Sequence, residues 1–176
     1  MLPIALRAQA DLCRSAGMQM KITKGNTPVA LDIMREAASW LIERGQPLWR
    51  LEDITQDKIL AGITQNDLYV GWIGAEAATA MILQWSDPFF WPHAQNDSGF
   101  IHKLAVRRRF AGTKASNSMV EWAKEETRRR GRRYLRLDCA GDRPQLCAFY
   151  ERLGFRQTDR RSVGVFDVAF YEFELG

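Results

Sequence analysis

One buried strand runs almost directly into a long amphipathic helix, and a second buried strand follows that helix. The apolar segment Phe100–Val106 is separated by a short basic loop from the helical pattern of Gly112–Arg130, and Tyr134–Cys139 is again strand-like. A strand, a helix and a strand in this order form a crossover connection, which places the helix on one face of a sheet. The second half of the chain therefore predicts an α/β fold.

Further strand patterns extend this unit to a larger sheet. Met20–Lys24 alternates apolar and polar residues, as a short edge strand does, and Leu68–Ile73 and Ala77–Trp85 form a hairpin around a tight turn. A second hairpin, made by Phe155–Thr158 and Val163–Glu174, closes the chain. We therefore expect a mixed, mostly antiparallel central sheet flanked by helices.

In the first half of the chain, N-cap residues predict where two helices begin. Thr27 and Pro28 give an N-cap followed by a proline at the first helical position, and apolar residues then recur at helical spacing. Ile54–Ile63 predicts a shorter helix, for which either Thr55 or Asp53 is the cap.

A chain of 176 residues is the usual size of one domain. We expect residues 18–176 to form that domain. Residues 1–17 are expected to be an N-terminal extension, either an upstream start or a flexible, loosely docked arm. No apolar run of about 18 residues occurs, so no membrane-spanning segment is expected.

The few metal-ligating residues argue against a metal site. The chain has three cysteines, without the Cys-x-x-Cys spacing of zinc sites, and two histidines. We therefore expect no bound metal. An odd number of unpaired thiols favours a reducing compartment, and the cytoplasm is the expected location.

Positive charge is concentrated in two short segments. The formal net charge is only +4, but Arg107–Arg109 and Arg128–Arg133 are strongly basic. The second segment follows the long helix and is interpreted as its solvated end. Because no continuous basic face appears, the pattern favours a small phosphate-bearing ligand over a nucleic acid.

The loop before the long helix has the properties of a phosphate-binding site. The strand ends with Leu104, Ala105 and Val106, the arginines from Arg107 onward follow, and Gly112 precedes the helix. A helix N-terminus exposes unpaired N–H groups and the positive end of the helix dipole. A glycine at this point lets a ligand approach the backbone closely, and the arginines can meet further phosphate charge.

On these residues the sequence resembles the GNAT superfamily of N-acetyltransferases. Val106, Phe110 and Gly112 stand at the spacing of the family's pyrophosphate-binding loop, whereas Lys114 and Ser116 replace its later glycines. Lys114 either reaches the phosphates or obstructs them. The resemblance implies acetyl-CoA as the cofactor, and it makes the following residues its expected contacts in the loop: Arg107, Ala111, Gly112, Thr113, Lys114, Ala115 and Ser116.

A second segment resembles the same superfamily more closely. Cys147–Phe155 contains the run Phe-Tyr-Glu-Arg-Leu-Gly-Phe, in which Tyr150 is implied to place its hydroxyl between two central strands. The family often has Asn seven residues before this Tyr, where this chain has Arg143, a further expected cofactor contact. The resemblance also implies that Phe100–Val106 and Tyr134–Cys139 are a parallel pair that splays apart.

The resemblance implies a direct attack of an acceptor amine on the thioester. The pantetheine arm would hydrogen-bond to the backbone of Leu104 and Val106. The reaction needs a neutral amine, a polarised carbonyl and a proton for the departing thiolate. Tyr150 is the expected acid, and His102 is expected to accept the proton of the ammonium. Asp138 either orients the substrate or caps the strand end, and the structural role is the one expected.

The sequence leaves the acceptor open as a primary amine of a small molecule or of a protein. Trp49, Trp85 and Trp91 fall where relatives build acceptor pockets, and an aromatic wall favours an apolar or cationic amine. GNAT proteins often pair through edge strands, so a homodimer through the edge within Val163–Glu174 is also an expectation.

Two alternative functions remain open at this point. The altered loop and the replacement of the usual Asn by Arg143 are also consistent with a degenerate relative that binds acyl-CoA without turnover. The arginine clusters are the weaker basis for a nucleic-acid-binding module, for which affinity would depend steeply on salt.

Overall fold

The computed structural model describes residues 19–176, and the extension expected at residues 1–17 lies outside these residues. Seven strands form one sheet, with the following bounds: β1 Met20–Lys24, β2 Leu68–Ile73, β3 Glu76–Gln84, β4 Ser98–Val106, β5 Tyr134–Ala140, β6 Arg156–Val163 and β7 Phe166–Glu174. The α-helices are α1 Thr27–Glu43, α2 Gln56–Leu60, α3 Ala115–Arg129 and α4 Pro144–Arg152.

The strand order is β1-β2-β3-β4-β5-β7-β6, and β4 with β5 is the one parallel pair among the described strands. This confirms the mixed, mostly antiparallel sheet. The parallel pair is short, because it joins Ser98–Ile101 to Tyr134–Leu137 and then ends. Both strands continue past this point without pairing to each other, which confirms that the pair splays apart.

A β-bulge in β4 lies at the point where the two strands separate. Ile82 of β3 pairs with His102, whereas Ala80 pairs with Ala105, so β4 contains one extra residue. Lys103 lies in this bulge, and its φ of 48° is in the left-handed region that lysine rarely adopts. Such bulges bend a strand and change the direction of its side chains, and they are common next to active sites.

Each face of the sheet is covered by its own helices and has its own core. On one face, Met119 of α3 packs in a cluster with Ile101 and Leu137 of the parallel pair. On the other face, Ile33 of α1 packs with Ile82. Each fully buried aliphatic side chain of this kind stabilises the fold by about 1.5–3 kcal/mol. We call these the α3 face and the α1 face.

Several predicted helix ends differ from the observed ones. The N-cap of α1 is Asn26, with a φ of 58°, and Thr27 is the first helical residue instead of the cap. The helix predicted over Ile54–Ile63 is confined to α2, although its cap is Thr55, whose side chain accepts a hydrogen bond from the Lys58 N–H.

The long helix begins later than predicted. A 3₁₀ turn, Arg108–Phe110, follows β4, and Gly112 then has a φ of 77°, which α-helical geometry excludes. As a result, α3 begins at Ala115 instead of Gly112.

The expected edge strand is also corrected. The segment Val163–Glu174 consists mainly of β7, which lies between β5 and β6, so β6 is the edge at this end of the sheet. Nearly every residue of β6 is exposed, and Arg156, Asp159 and Arg160 put charge along it. Charged edges disfavour edge-to-edge pairing. The homodimer therefore remains a prediction that the charged β6 edge does not support.

Candidate active site

The expected phosphate-binding segment folds into a turn that leads to the N-terminus of α3. Residues 111–114 are exposed, and Gly112 has open space around its α-carbon. Thr113 closes the turn, because its hydroxyl accepts a hydrogen bond from the Ala115 N–H at 3.2 Å. Of the expected contacts, Ala111, Gly112, Thr113 and Lys114 therefore lie on the surface, where a phosphate can reach their backbone, whereas Ala115 is buried.

The first turn of α3 offers free N–H groups. The Ser118 N–H donates to the carbonyl of Lys114 at 2.9 Å, which is the first hydrogen bond of the helix. The N–H groups of Ser116 and Asn117 precede that bond, so they have no partner within the helix and can bind an anion. Lys114 is the exposed N-cap residue, and its ammonium adds positive charge at the same end.

Arg107 is occupied elsewhere, contrary to its expected role as a phosphate ligand. Its guanidinium forms ion pairs with Asp32 at 2.5 Å and Glu36 at 2.6 Å, both on α1. The side chain therefore fastens the end of β4 to α1. Arg109 is exposed and pairs with Glu76 at 3.2 Å.

Arg143 likewise binds the protein itself instead of being free for a cofactor. Its guanidinium donates hydrogen bonds to the backbone carbonyls of Gln46 at 3.3 Å and Pro47 at 2.9 Å. These carbonyls belong to the segment after α1, so Arg143 ties the start of α4 to that segment. The expected cofactor contact is therefore replaced by a structural tie across the molecule.

The backbone of β4 is open on one side beyond the splay point. Ala105 and Val106 pair with Ala80 and Thr79 of β3, but neither pairs with β5. Leu104 and Val106 are half-buried. An extended chain can therefore hydrogen-bond to this free edge, as the pantetheine arm was expected to do.

Tyr150 lies on the α3 face and is only 6% exposed. Its ring is packed against three aromatic neighbours, with centroid separations of 5.0, 5.9 and 6.3 Å: Phe149, Phe155 and Tyr171. Burial raises the pKa of the Tyr150 hydroxyl, and the nearby Cys139 and Asp138 raise it further. The hydroxyl therefore keeps its proton at neutral pH.

On the α1 face, His102 lies between two aspartates. Its Nε2 is 3.5 Å from Oδ2 of Asp87, and its Nδ1 is 3.8 Å from Oδ1 of Asp138. His102 Nε2 and these two carboxylate oxygens are buried without a hydrogen-bond partner. Buried polar atoms are nearly always paired, and titratable groups with shifted pKa values cluster at functional sites.

The environment shifts the pKa values of His102 and Asp138 in opposite directions. Burial lowers the pKa of His102, although the Asp87 charge opposes that shift. Burial raises the pKa of Asp138 to about 7, and Asp87 raises it as well. A neutral imidazole next to a carboxyl group that titrates near pH 7 is suited to accept a proton from an amine.

The same three residues also bring possible ligands of a cation close together. One ligand atom from each of Asp87, His102 and Asp138 lies within 4.8 Å of the others. However, the two carboxylates approach different nitrogens of the imidazole ring, and a single ion can bind only one of these nitrogens. The geometry therefore favours proton sharing over metal coordination.

Lys103 adds a positive charge beside this group. The bulge places its Nζ 5.1 Å from the centre of the Trp49 ring. Burial lowers the pKa of Lys103, whereas Asp53 and Asp138 raise it. In return, the Lys103 charge lowers the pKa of both His102 and Asp138.

The three tryptophans expected in an acceptor pocket are not gathered into one wall. Trp49 covers Lys103, and Trp85 stacks with Arg130, whose guanidinium carbon is 4.0 Å from the ring centre. Trp91 packs over the sheet, and two cavities of about 460 and 310 Å³ lie beside it. Only Trp49 and Trp91 therefore lie on the face that carries His102.

Sequence reasoning missed three residues of this site. Neither Asp87 nor Lys103 is among the residues expected in the site, and a structural role is expected for Asp138. The left-handed backbone of Lys103 has no signal in the sequence, because lysine rarely adopts it. The one available signal was that His102 and Asp138 are polar residues next to buried apolar residues of their own strands.

Comparison with known proteins agrees with this geometry. The sequence model of the acetyltransferase (GNAT) family matches residues 31–155. The chain belongs to this family. As a GNAT enzyme it is an N-acetyltransferase that uses acetyl-CoA. Within residues 19–176, no helix has the length and apolarity needed to cross a membrane.

Individual relatives support the same assignment. An uncharacterised N-acetyltransferase of Bacillus subtilis, YesJ, is 28% identical over 130 residues, which are 70% of this chain and 72% of YesJ. A GNAT acetyltransferase structure from Listeria monocytogenes has a TM-score of 0.73 at 23% identity, covering 92% of this chain and 98% of its own. The YncA structure from Salmonella typhimurium, with acetyl-CoA, has a TM-score of 0.65 at 13% identity, covering 90% and 95%.

Proposed function

We propose that this GNAT enzyme transfers the acetyl group directly to a primary amine of a small molecule or protein. In this proposal, His102 and Asp138 form the base and Tyr150 is the acid. The observation that carries the proposal is the contact between His102 and Asp138 at the point where β4 and β5 separate. Tyr150 approaches the same point from the other face, close enough for the Asp138 charge to raise its pKa.

The described residues fit acetyl-CoA as the donor substrate. The unpaired backbone edge of β4 at Leu104 and Val106 suits the amide groups of an extended pantetheine arm. The free N–H groups at the start of α3, together with Lys114, suit the pyrophosphate. Acetyl-CoA supplies the activated thioester, and the remaining steps depend on groups of the protein.

Two proton transfers accompany the reaction. The acceptor ammonium loses one proton to the His102–Asp138 pair, and the neutral amine attacks the carbonyl carbon. As the new carbon–nitrogen bond forms, the carbon–sulfur bond breaks and Tyr150 protonates the thiolate. Separate environments keep the proton on Tyr150 and allow the base to titrate near neutrality, so the two roles do not compete.

The acceptor side favours a cationic amine with an apolar body. Asp87 and Asp138 attract an ammonium group, and Trp49 and Trp91 provide aromatic surface nearby. We further propose that the enzyme acts in the cytoplasm. In the structure, Cys139 and the half-buried Cys147 are free thiols, which is in keeping with a reducing compartment.

The test is the Asp138→Asn variant, assayed for thiol release from acetyl-CoA across a panel of primary amines. The amide cannot accept the proton, so we expect kcat to fall about 100-fold and the acidic limb of the wild-type pH profile near pH 7 to be altered. The exposed Asp57→Asn variant is the matched control and should keep both kcat and the profile.

Thermal stability separates this effect from misfolding. Because burial raises the folded-state pKa of Asp138 from 3.8 to about 7, the folded chain binds the proton more tightly than the unfolded chain. The stability contribution of this group is therefore lost as pH rises from about 4 to about 7. Asp138→Asn removes the penalty and should raise Tm at about pH 8 by several degrees. An unchanged kcat and pH profile in this variant would refute the assignment of the base.

A further inference from the structure

We propose that Asp87 is a positioning residue that holds the His102 proton on Nε2, so that Nδ1 remains free to accept the proton of the acceptor amine. This inference rests on the proposed function, because it assigns the supporting residue of the same base. Asp87 also lies close to Asp138, because one carboxylate oxygen of each is within 4.8 Å of the other. It acts through His102, which it meets at Nε2.

The loop after β3 fixes the orientation of the Asp87 carboxylate. Its Oδ1 accepts a hydrogen bond from the Phe90 N–H at 3.1 Å, and its backbone carbonyl accepts one from the Trp91 N–H at 2.9 Å. The side chain is only 7% exposed. With Oδ1 engaged in the turn, Oδ2 is the oxygen that faces His102.

The aromatic side chains of this loop anchor it to the sheet. Trp91 lies with its ring centre 6.3 Å from that of Phe100 and 5.4 Å from that of Phe170. Phe170 pairs with Asp138 in the neighbouring strand. The loop that carries Asp87 is therefore packed over β4, which carries His102, and over β7, which pairs with the strand that carries Asp138.

An ionised carboxylate at Nε2 selects one tautomer of a neutral imidazole. Oδ2 of Asp87 has no other protein partner, and neither has Nε2, at a separation of 3.5 Å. The Asp87 carboxylate can only accept a hydrogen bond, and it lies nearer to the ring than the Asp138 carboxyl group does, so it favours the tautomer with the proton on Nε2. Nδ1 then presents its lone pair toward Asp138, at 3.8 Å.

Other charged groups near the pair do not replace this contact. Lys103 of β4 influences both His102 and Asp138, and Asp53 lies behind Lys103. On the opposite face, the hydroxyl of Tyr150 and the thiol of Cys139 are within the influence of Asp138 and remain neutral. Among the described residues, Asp87 is the ionisable side chain that meets Nε2 itself.

The Asp87→Asn variant tests this inference with little change in shape. Its amide oxygen can still accept the Phe90 N–H, so the turn is preserved. Its amide nitrogen, however, would donate to Nε2 and force the ring proton onto Nδ1. We expect kcat to fall about 100-fold, with the KM for acetyl-CoA unchanged, because the proton would block the accepting nitrogen.

The tautomer itself can be measured without substrate. The chain has only two histidines, so the ¹⁵N resonances of His102 are assigned by comparison with His93→Gln. At about pH 8 the wild type should show the Nε2–H form and Asp87→Asn the Nδ1–H form. Asp97→Asn, which alters a carboxylate in the same loop, should keep the wild-type tautomer and kcat.

The outcomes separate this inference from the proposed function. A change of tautomer together with a loss of kcat supports the role of Asp87. The same tautomer in wild type and Asp87→Asn, or an unchanged kcat in that variant, overturns it. Full activity of His102→Gln would instead overturn the proposed base, whatever tautomer the ring adopts.

Discussion

The two sides of the gap between β4 and β5 are built in different ways. On the α3 face, Tyr150 and two of the rings around it, Phe149 and Phe155, come from one short segment of the chain. On the α1 face, His102 meets side chains from two other segments, Asp87 and Asp138. One side is a local motif, and the other is assembled by the tertiary structure.

This difference in construction accompanies a difference in chemistry. Both sides are buried, but burial has a different consequence for the protonation of each side. It raises the pKa of Tyr150 so that the hydroxyl stays protonated, and it brings Asp138 to a pKa of about 7 next to a neutral His102. Titratable groups whose environments separate their pKa values are suited to acid and base roles in one reaction. Three substitutions test whether the two sides are as separate as this comparison states.

The largest effect is expected on the α3 face, for Tyr150→Phe. Loss of the hydroxyl removes the proton donor for the thiolate, so kcat should fall about 100- to 1000-fold, while KM for acetyl-CoA stays close to the wild-type value. Steady-state kinetics with a fixed amine measures both. The control is Tyr171→Phe, because that hydroxyl instead meets Glu151 at 2.9 Å. If Tyr150→Phe kept the wild-type kcat, the α3 face would supply no acid.

The same comparison explains which parts the sequence could predict. The strand pattern follows from local periodicity, and the parallel pair and the expected place of Tyr150 are implied by the family resemblance that two contiguous motifs carry. Asp87 could not be placed, because its contact with His102 depends on how the aromatic loop packs against β7. The side chains of Arg107 and Arg143 were assigned to the cofactor because sequence shows their charge but not their partners, which come from α1 and from the segment after it.

A tenfold effect is expected at the helix end that was proposed to hold the phosphates. Lys114→Glu reverses the charge at the N-terminus of α3, beside the free N–H groups. Replacing an attraction by a repulsion of similar size at the surface should raise KM for acetyl-CoA about tenfold and leave kcat nearly unchanged. Titration of acetyl-CoA in the kinetic assay measures this. Lys21→Glu, an exposed charge reversal on β1, is the control. An equal KM in both variants would place the phosphates elsewhere.

The smallest effect, and the one that best sharpens the comparison, is expected for Lys103→Met. The Lys103 charge lowers the pKa of both His102 and Asp138, so removing it raises both. The base then stays protonated to higher pH, and the acidic limb of the kcat profile should move upward. The rate should fall about threefold at about pH 6 and change little at about pH 8.5.

Lys103→Met should leave the α3 face unaffected, because Lys103 is not among the groups that influence Tyr150. Any basic limb that depends on Tyr150 should therefore stay in place while the acidic limb moves, and Lys21→Met should move neither. A shift of both limbs would mean that the two faces share one titrating network. A shift of the acidic limb alone would show that the base is tuned from the α1 face only, as the separate construction of the two sides requires.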